Sequence, residues 1–532
     1  MSATTPSPAP RMLTTIFRNV GANWIGLVVN LVLSFLIAPI TVNALGNVYY
    51  GIWMLLMQFT GYLWLFDFGV RESVVKYVAQ HHASDDREQL VSTVRTAVSI
   101  YSAVALLAMV GVVALTVAIP HLFNVPADAV TTARIAAFIT GVTIAQSFVF
   151  NVFVGVVMGL QQFYRLTRVS VVLSVLRTTL IYGLLVNGQG IVALAVVQLV
   201  ASLVFSVLVY RLCVKELPYL VIRLVRPSRK EAIKLFNYGK YVLVANVGDK
   251  IVFSTDAIVI AAFLPVSSLT FFAIGGSLID YFRSFINSMG SVVNPVASSL
   301  EARNDAERLS RLFSGAAKAA VLLGLPVCLG FIFLGERFIT LWMGPDYGPQ
   351  AGRVLAVLAA GYIAGLPYRT VSAVMYGLGQ HKYVAYSRLV EGGLNLAISI
   401  ALITPFGLVG VAIGTALPHA VIVAGYLPLV LPRLFPISLR EYYTWTYLRP
   451  LIAAVPFAVT CWVLEHVIQP AHLIPFMLMG AGSLIAYVIP AWFIGLTTDE
   501  RERSGAAVLR VVRRTSKAGA PAAVLGGPAA LK

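Results

Sequence analysis

Asp249, Lys250 and Asp256 fall in one apolar stretch of this chain, and Asp280 and Arg283 fall in the next. An ionisable side chain near the centre of a membrane helix costs about 2.5 to 3.5 kcal/mol on insertion scales, so it turns toward protein or water and finds a partner. At helical spacing, Asp249 and Asp256 share one face, and Asp280 and Arg283 share another. Together they are the densest polar cluster in the apolar part of the chain. The two cations suit an anionic group, arginine through a forked contact with its oxygens. The acids would hold those cations in place or bind a proton or sodium ion. Ion pairs that brace neighbouring helices without touching a substrate are the competing reading.

Other charges in apolar stretches are sparser. Arg177 lies deep and is a cavity candidate, whereas Arg369 lies near a helix end, where its head group can snorkel to the interface. Glu391 follows Arg388 at the spacing of a helical ion pair. Asn23, Asn30, Asp67 and Arg71 are candidates for a polar lining or a gate at one mouth, against contacts between helices as the alternative. Cys213, Cys328 and Cys461 stand apart with no paired spacing, so no disulfide framework, metal site or cofactor is expected. No HExxH, phosphate loop or nucleophile elbow occurs, and His81-His82 sits in a charged segment where solvation accounts for it.

The elements that must position these residues are membrane helices. A soluble chain carries about 25% charged residues, whereas this one has 11% charged, 58% hydrophobic and a mean hydropathy of +0.84. Residues 19–66, 135–164, 178–210, 392–432 and 473–498 contain no Asp, Glu, Lys or Arg. About 20 apolar residues cross a bilayer, so the longer windows each hold two spans joined by a turn. NALGNVYYG around Gly46, VNGQG around Gly188 and TPFG at Pro405 supply the turns. Continuous apolar runs, rather than alternating ones, indicate helices and not barrel strands.

The chain also repeats itself. MGLQQFYRLTRVSVV from Met158 returns as YGLGQHKYVAYSRLV from Tyr376, a register of about 218 residues, and an apolar stretch follows each copy. The expected fold is therefore all-α and integral to a membrane, with about 14 transmembrane helices. Two six-helix lobes would be related by a pseudo-two-fold axis along the membrane normal, followed by a C-terminal helix pair. The expected units are an N-terminal tail (1–18), an N-lobe (19–213), a basic linker (214–238), a C-lobe (239–431), a helix pair (447–496) and a basic, partly disordered tail (497–532). The net charge of +17 is no nucleic-acid footprint, because most of the 39 Lys and Arg gather in the tails and alternate loops. That asymmetry predicts cytoplasmic termini and a cytoplasmic linker that meets anionic lipid.

Residues 45–80 carry a resemblance. Tyr50-Gly51-Ile52-Trp53 after a glycine turn, Asp67-Phe68-Gly69, Lys76-Tyr77-Val78-Ala79 and the Gly377–Gln380 GLGQ resemble the polysaccharide transporters of the multidrug/oligosaccharidyl-lipid/polysaccharide exporter superfamily. The resemblance implies a flippase of the bacterial cytoplasmic membrane that moves polyprenyl-pyrophosphate-linked oligosaccharide by alternating access for O-antigen or exopolysaccharide synthesis. On that reading Lys250 and Arg283 contact phosphate, and Asn23, Asn30, Asp67 and Arg71 meet sugar hydroxyls or gate the cytoplasmic mouth. A polymerase or export machinery would be the protein partner. Two rivals stand beside it: a cation-coupled drug exporter of the same superfamily, in which Asp249, Asp256 and Asp280 are ion sites, and a membrane-embedded glycan polymerase or ligase.

Overall fold

A computed structural model of the chain describes residues 9–220, 228–301, 303, 305–378, 380–430, 432 and 438–502. The calls on the 1–8, 221–227 and 503–532 parts of the tails and linker lie outside these residues, as do the side chains of Asn23 and Asp249. Among the described residues every regular element is helical. Among the same residues ten helices are long and apolar enough to cross a membrane, eleven when one bent pair is counted as a span. The protein is thus a multi-pass membrane protein.

The first helix, α1 (Ala9–Leu63), is followed by a short cross-helix α2 (Val70–Ala83) and by α3 (Arg87–Leu122), α4 (Val130–Gly159), α5 (Phe163–Val186) and α6 (Ile191–Glu216). The second half of the chain begins with α7 (Arg229–Phe263) and continues with α8 (Ser268–Glu301), α9 (Ala306–Met343), α10 (Gly348–Gly365), α11 (Tyr368–Gly377) and α12 (His381–Ala420). Two further apolar helices follow, α13 (Leu439–Ile468) and α14 (Leu473–Gly495).

The three turns expected from the sequence are realised at glycines in the left-handed region: Gly46 (φ 70°), Gly188 (φ 74°) and Gly407 (φ 58°). Gly46 breaks α1 and Gly407 breaks α12, so each is two helical segments meeting at one residue. A side chain there would be strained, which is why glycine marks the break. Pro367 lies in the gap between α10 and α11, which bend by 41°, as expected where a ring replaces a helix hydrogen bond. α7 starts earlier than the apolar run alone indicates, because the Ser228 side chain caps its first turn by accepting from the Glu231 backbone N–H.

Apolar packing differs between the two ends of the bundle. At the end away from the basic segments, one core joins both halves: Val42, Ile52 and Leu55 of α1, Ala133 of α4 and Ile191 of α6 pack in the same cluster as Ile260 of α7, Leu269 and Ile274 of α8 and Leu355 of α10. At the basic end there are two cores. Val74 of α2, Val94 of α3, Phe148 of α4 and Val209 of α6 form one, which α7 joins through Leu235. Phe313 of α9, Val374 of α11, Val384 of α12 and Tyr442 of α13 form the other.

Candidate functional site

The broken helix α12 supplies a polar ladder. Its two segments run antiparallel about Gly407 and put three rungs face to face. Glu391 meets His419, with Nδ1 and Oε1 2.7 Å apart. One turn further, Asn395 Nδ2 donates to Thr415 Oγ1 at 3.0 Å, and then Ser399 Oγ donates to the Val411 carbonyl at 3.5 Å. The spacing of four residues on both segments keeps all six on one face. Close approach of the segments requires small residues: a Cβ on Gly414 would come within 2.1 Å of Ser399 Oγ.

Two of the rungs are tied to neighbouring helices. Thr415 Oγ1 also lies 2.6 Å from Asp256 Oδ2 on α7, as a donor to the carboxylate. Asp256 Oδ1 and Asn395 Oδ1 are buried with no hydrogen-bond partner among the described residues. At the first rung, fully buried Glu391 accepts from Arg388 Nη1 at 2.9 Å, and Arg388 Nε donates to the Tyr368 hydroxyl at 2.7 Å. The Tyr362 ring stands 4.9 Å from that of His419 and its hydroxyl is bonded to Arg283.

Two adjoining cavities open beside this ladder. The larger, about 100 Å³, is lined from α1 by Met54 and Gln58, and otherwise by Asp256, Ser277, Asp280, Arg283, Tyr362 and Thr415, among others. The smaller, about 20 Å³, lies among Arg283, Tyr362, Gly365, Tyr368, Arg369, Arg388 and His419. Arg283 and Tyr362 belong to both. Arg283 Nη2 is 3.0 Å from Asp280 Oδ1, so the pair expected from the sequence spacing forms at the cavity wall. Lys250 acts electrostatically on the same Asp280. Its ammonium sits against Gly61 of α1, where a Cβ would come within 2.6 Å of Nζ.

The remaining candidates fall elsewhere. Arg369 lines the smaller cavity beside the Tyr368 ring. Arg177 donates to Gln198 on α6 at 3.0 Å and lines neither cavity. Asp67 is buried and accepts the Tyr101 hydroxyl, while Arg71 folds onto Glu72 at 2.6 Å. Asn30 donates to the Gly26 carbonyl of its own helix at 2.8 Å. Sequence reasoning treated Glu391 as a local partner of Arg388 and passed over His419, Asn395, Ser399, Thr415 and Tyr362. The available signal was the mirrored spacing of polar residues on either side of Pro405.

The two halves of the chain touch at both ends of the cavity. Away from the basic end, Asn124 exchanges backbone hydrogen bonds with Ala261 (3.1 Å) and Val266 (3.3 Å), and Thr270 Oγ1 donates to the Asn47 carbonyl at 2.7 Å. Midway, the Tyr62 and Thr255 hydroxyls lie 2.8 Å apart. At the basic end, Ser73 Oγ donates to the Leu235 carbonyl at 2.8 Å and Thr93 Oγ1 to Glu231 at 3.2 Å. Lys234 lies 3.6 Å from Glu231, over the Tyr77 ring and beside His81. Burial, and then the charge of Lys234, pushes His81 below the ordinary histidine range.

Residues 16–301 match the family model described as "Polysaccharide biosynthesis protein", more than half of the chain. The chain belongs to that family. A second model, that of the lipid II flippase MurJ, matches residues 257–481, which contain α8, α10, α11 and α12 of the cavity walls. Among curated proteins the chain is similar to the probable low-salt glycan biosynthesis flippase Agl15 of Haloferax volcanii. The two are 26% identical over 196 residues, 37% of this chain and 41% of that protein. A solved structure of MurJ in an inward closed conformation overlays with a TM-score of 0.67 at 15% identity, covering 89% of this chain and 98% of that one. An inward-facing multidrug resistance MATE transporter of the MOP superfamily overlays at 0.59 and 18% identity, covering 77% and 98%. This member of the polysaccharide biosynthesis family thus shares a flippase and exporter fold, as the resemblance in residues 45–80 leads one to expect.

Proposed function

We propose that this protein carries polyprenyl-pyrophosphate-linked oligosaccharide across the bacterial cytoplasmic membrane without changing its covalent bonds. The observation that carries the reading is a cavity between the two halves of an apolar bundle with charged groups on its wall, Arg283, Asp280 and Asp256, and Lys250 beside it. A diphosphate leaving water needs fixed cations to replace its hydration, and a forked arginine is suited to that. The family match and the flippase relative support the substrate class.

In this reading the breaks at Gly46 and Gly407 make two spans each of α1 and α12, and α7 is a further, partly polar span. Fourteen spans result, in two six-helix lobes with both termini cytoplasmic. The lobes alternate between the contacts at Asn124–Ala261 and those at Ser73–Leu235, so that the cavity opens to one side at a time. The orphaned oxygens of Asp256 and Asn395, with Thr415, form a hard oxygen set that suits a proton or a sodium ion as the coupling ion.

The test uses the full chain in proteoliposomes with a fluorescent lipid-linked oligosaccharide. Wild type is expected to equilibrate the label between leaflets, and Arg283→Ala to abolish this at equal membrane insertion. Undiminished movement in Arg283→Ala would remove the cationic cavity as the path. Movement that survives collapse of all ion gradients would remove the coupling ion.

A further inference from the structure

Tyr362 of α10 joins the polar ladder of α12 to the arginine of the larger cavity. It lines both cavities, and its hydroxyl accepts a hydrogen bond from Arg283 of α8. The backbone that carries it is fixed by close packing. Gly361 and Gly365 flank Tyr362 and face the second segment of α12. A Cβ on Gly361 would come within 2.5 Å of the Ala416 Cβ, and one on Gly365 within 2.0 Å of the His419 ring. Two glycines four residues apart are the spacing at which membrane helices approach most closely.

The ring of Tyr362 is backed in the same way. Its centroid lies 4.9 Å from that of His419, and His419 is itself held by Glu391, with Nδ1 and Oε1 2.7 Å apart. Glu391 is fully buried and paired with Arg388 at 2.9 Å. Behind the Tyr362 hydroxyl there is thus a continuous wall of packed and hydrogen-bonded groups, and the hydroxyl is a fixed point on the cavity wall.

Arg283 has a further tether, Asp280, whose Oδ1 lies 3.0 Å from Nη2. Asp280 stands one turn earlier on the same helix, so that pair fixes the arginine only relative to α8. The Tyr362 hydroxyl ties it to α10 as well. A guanidinium is planar, and its forked contact with phosphate oxygens requires the plane to be aligned with the anion. Tethers from two helices restrict that plane before an anion arrives, so side-chain freedom is given up on folding rather than on binding.

We propose that Tyr362 is a positioning residue for the anion site: backed by His419, it presets the Arg283 guanidinium for a diphosphate in the larger cavity. This rests on the anion-carrying reading of that cavity and deepens it by naming the residue that orients its arginine.

Isothermal titration of the purified full-length protein with geranylgeranyl pyrophosphate reads the affinity for a lipid-borne diphosphate. Tyr362→Phe keeps the ring on His419 and removes the hydroxyl, and is expected to weaken binding by about two- to tenfold. In an Arg283→Lys background the same substitution should change binding by less than about twofold, because an ammonium has no plane to orient. In an Asp280→Asn background, where the other tether is weakened and Arg283 is kept, it should cost more than in wild type. Tyr362 also borders the larger cavity, and a hydroxyl that met the ligand directly, or that merely supported the fold, would cost the same factor in every background. Equal losses across the backgrounds, or undiminished binding by Tyr362→Phe alone, overturn the proposal and leave the anion cavity standing. Absence of binding by wild type overturns the cavity reading as well. Should Arg283→Lys not bind or not fold, the Asp280→Asn pair decides alone, with a cost no larger than in wild type overturning the proposal.

Discussion

The N-terminal half of the chain consumes its buried charges, while the C-terminal half presents them. Asp67 is capped by Tyr101, Arg71 folds onto Glu72, and Arg177 is held by Gln198, all among side chains of α1 to α6 and none on a cavity wall. Asp256, Asp280, Arg283, Arg369, Arg388 and His419 all line the cavities from α7, α8, α11 and α12. Two halves with a repeated sequence pattern thus differ in chemistry: the charged side chains that line the two cavities come from the second half.

The largest expected effect that tests this contrast is on stability. Replacing Glu391 by Ala strands the buried guanidinium of Arg388, which at about 3 to 5 kcal/mol is among the costliest single changes available. A fall in the thermal unfolding temperature of the detergent-solubilised protein, larger than for any single change at Arg71, is the expected readout. Next, Arg283→Ala should lower transport by at least about tenfold at unchanged expression, since a forked contact to phosphate contributes more than a neutral hydrogen bond. In the first half, Tyr101→Phe removes the donor to buried Asp67 and should cost about 1 to 3 kcal/mol in stability. Transport per folded molecule should be unchanged in that variant.

Arg177→Ala should change transport by less than about twofold, because Arg177 meets Gln198 and not the cavity. Loss of transport as complete as in Arg283→Ala would erase the contrast between the halves. The smallest effect concerns the contact at the basic end. His81 is held below its ordinary value where α2 meets α7, so the docked state favours neutral His81 and is weakened as pH falls through the free-histidine range near about 6.5. Cysteine cross-linking of Ser73→Cys to Leu235→Cys should therefore slow more between about pH 7.5 and about pH 6 with His81 present than with His81→Gln, a comparison that cancels the loss of thiolate common to both. A smaller slowing with His81 than with His81→Gln would contradict the assigned sign.

Much of the frame was legible. Apolar runs announced the helices, and Gly46, Gly188 and Gly407 announced the turns because only glycine adopts those backbone angles freely. Asp280–Arg283 and Arg388–Glu391 were readable as pairs because helical spacing alone brings such residues together. The destination of Arg177 was not readable: depth along a helix follows from position in an apolar run, whereas direction depends on which helix lies beside it. Glu391 was read as a local partner only, since its second partner, His419, is reached through a hairpin rather than along one helix.

Composition and spacing by themselves determined that this chain is a helical membrane protein with breaks at particular glycines and with charge concentrated on α7 and α8, because those properties follow from hydration and from local backbone geometry. Only the tertiary structure decided which charges share a cavity. That depends on the antiparallel closure of α12 about Gly407 and on its packing against α7, α10 and α11, contacts between residues distant in the chain whose pairing no local periodicity encodes.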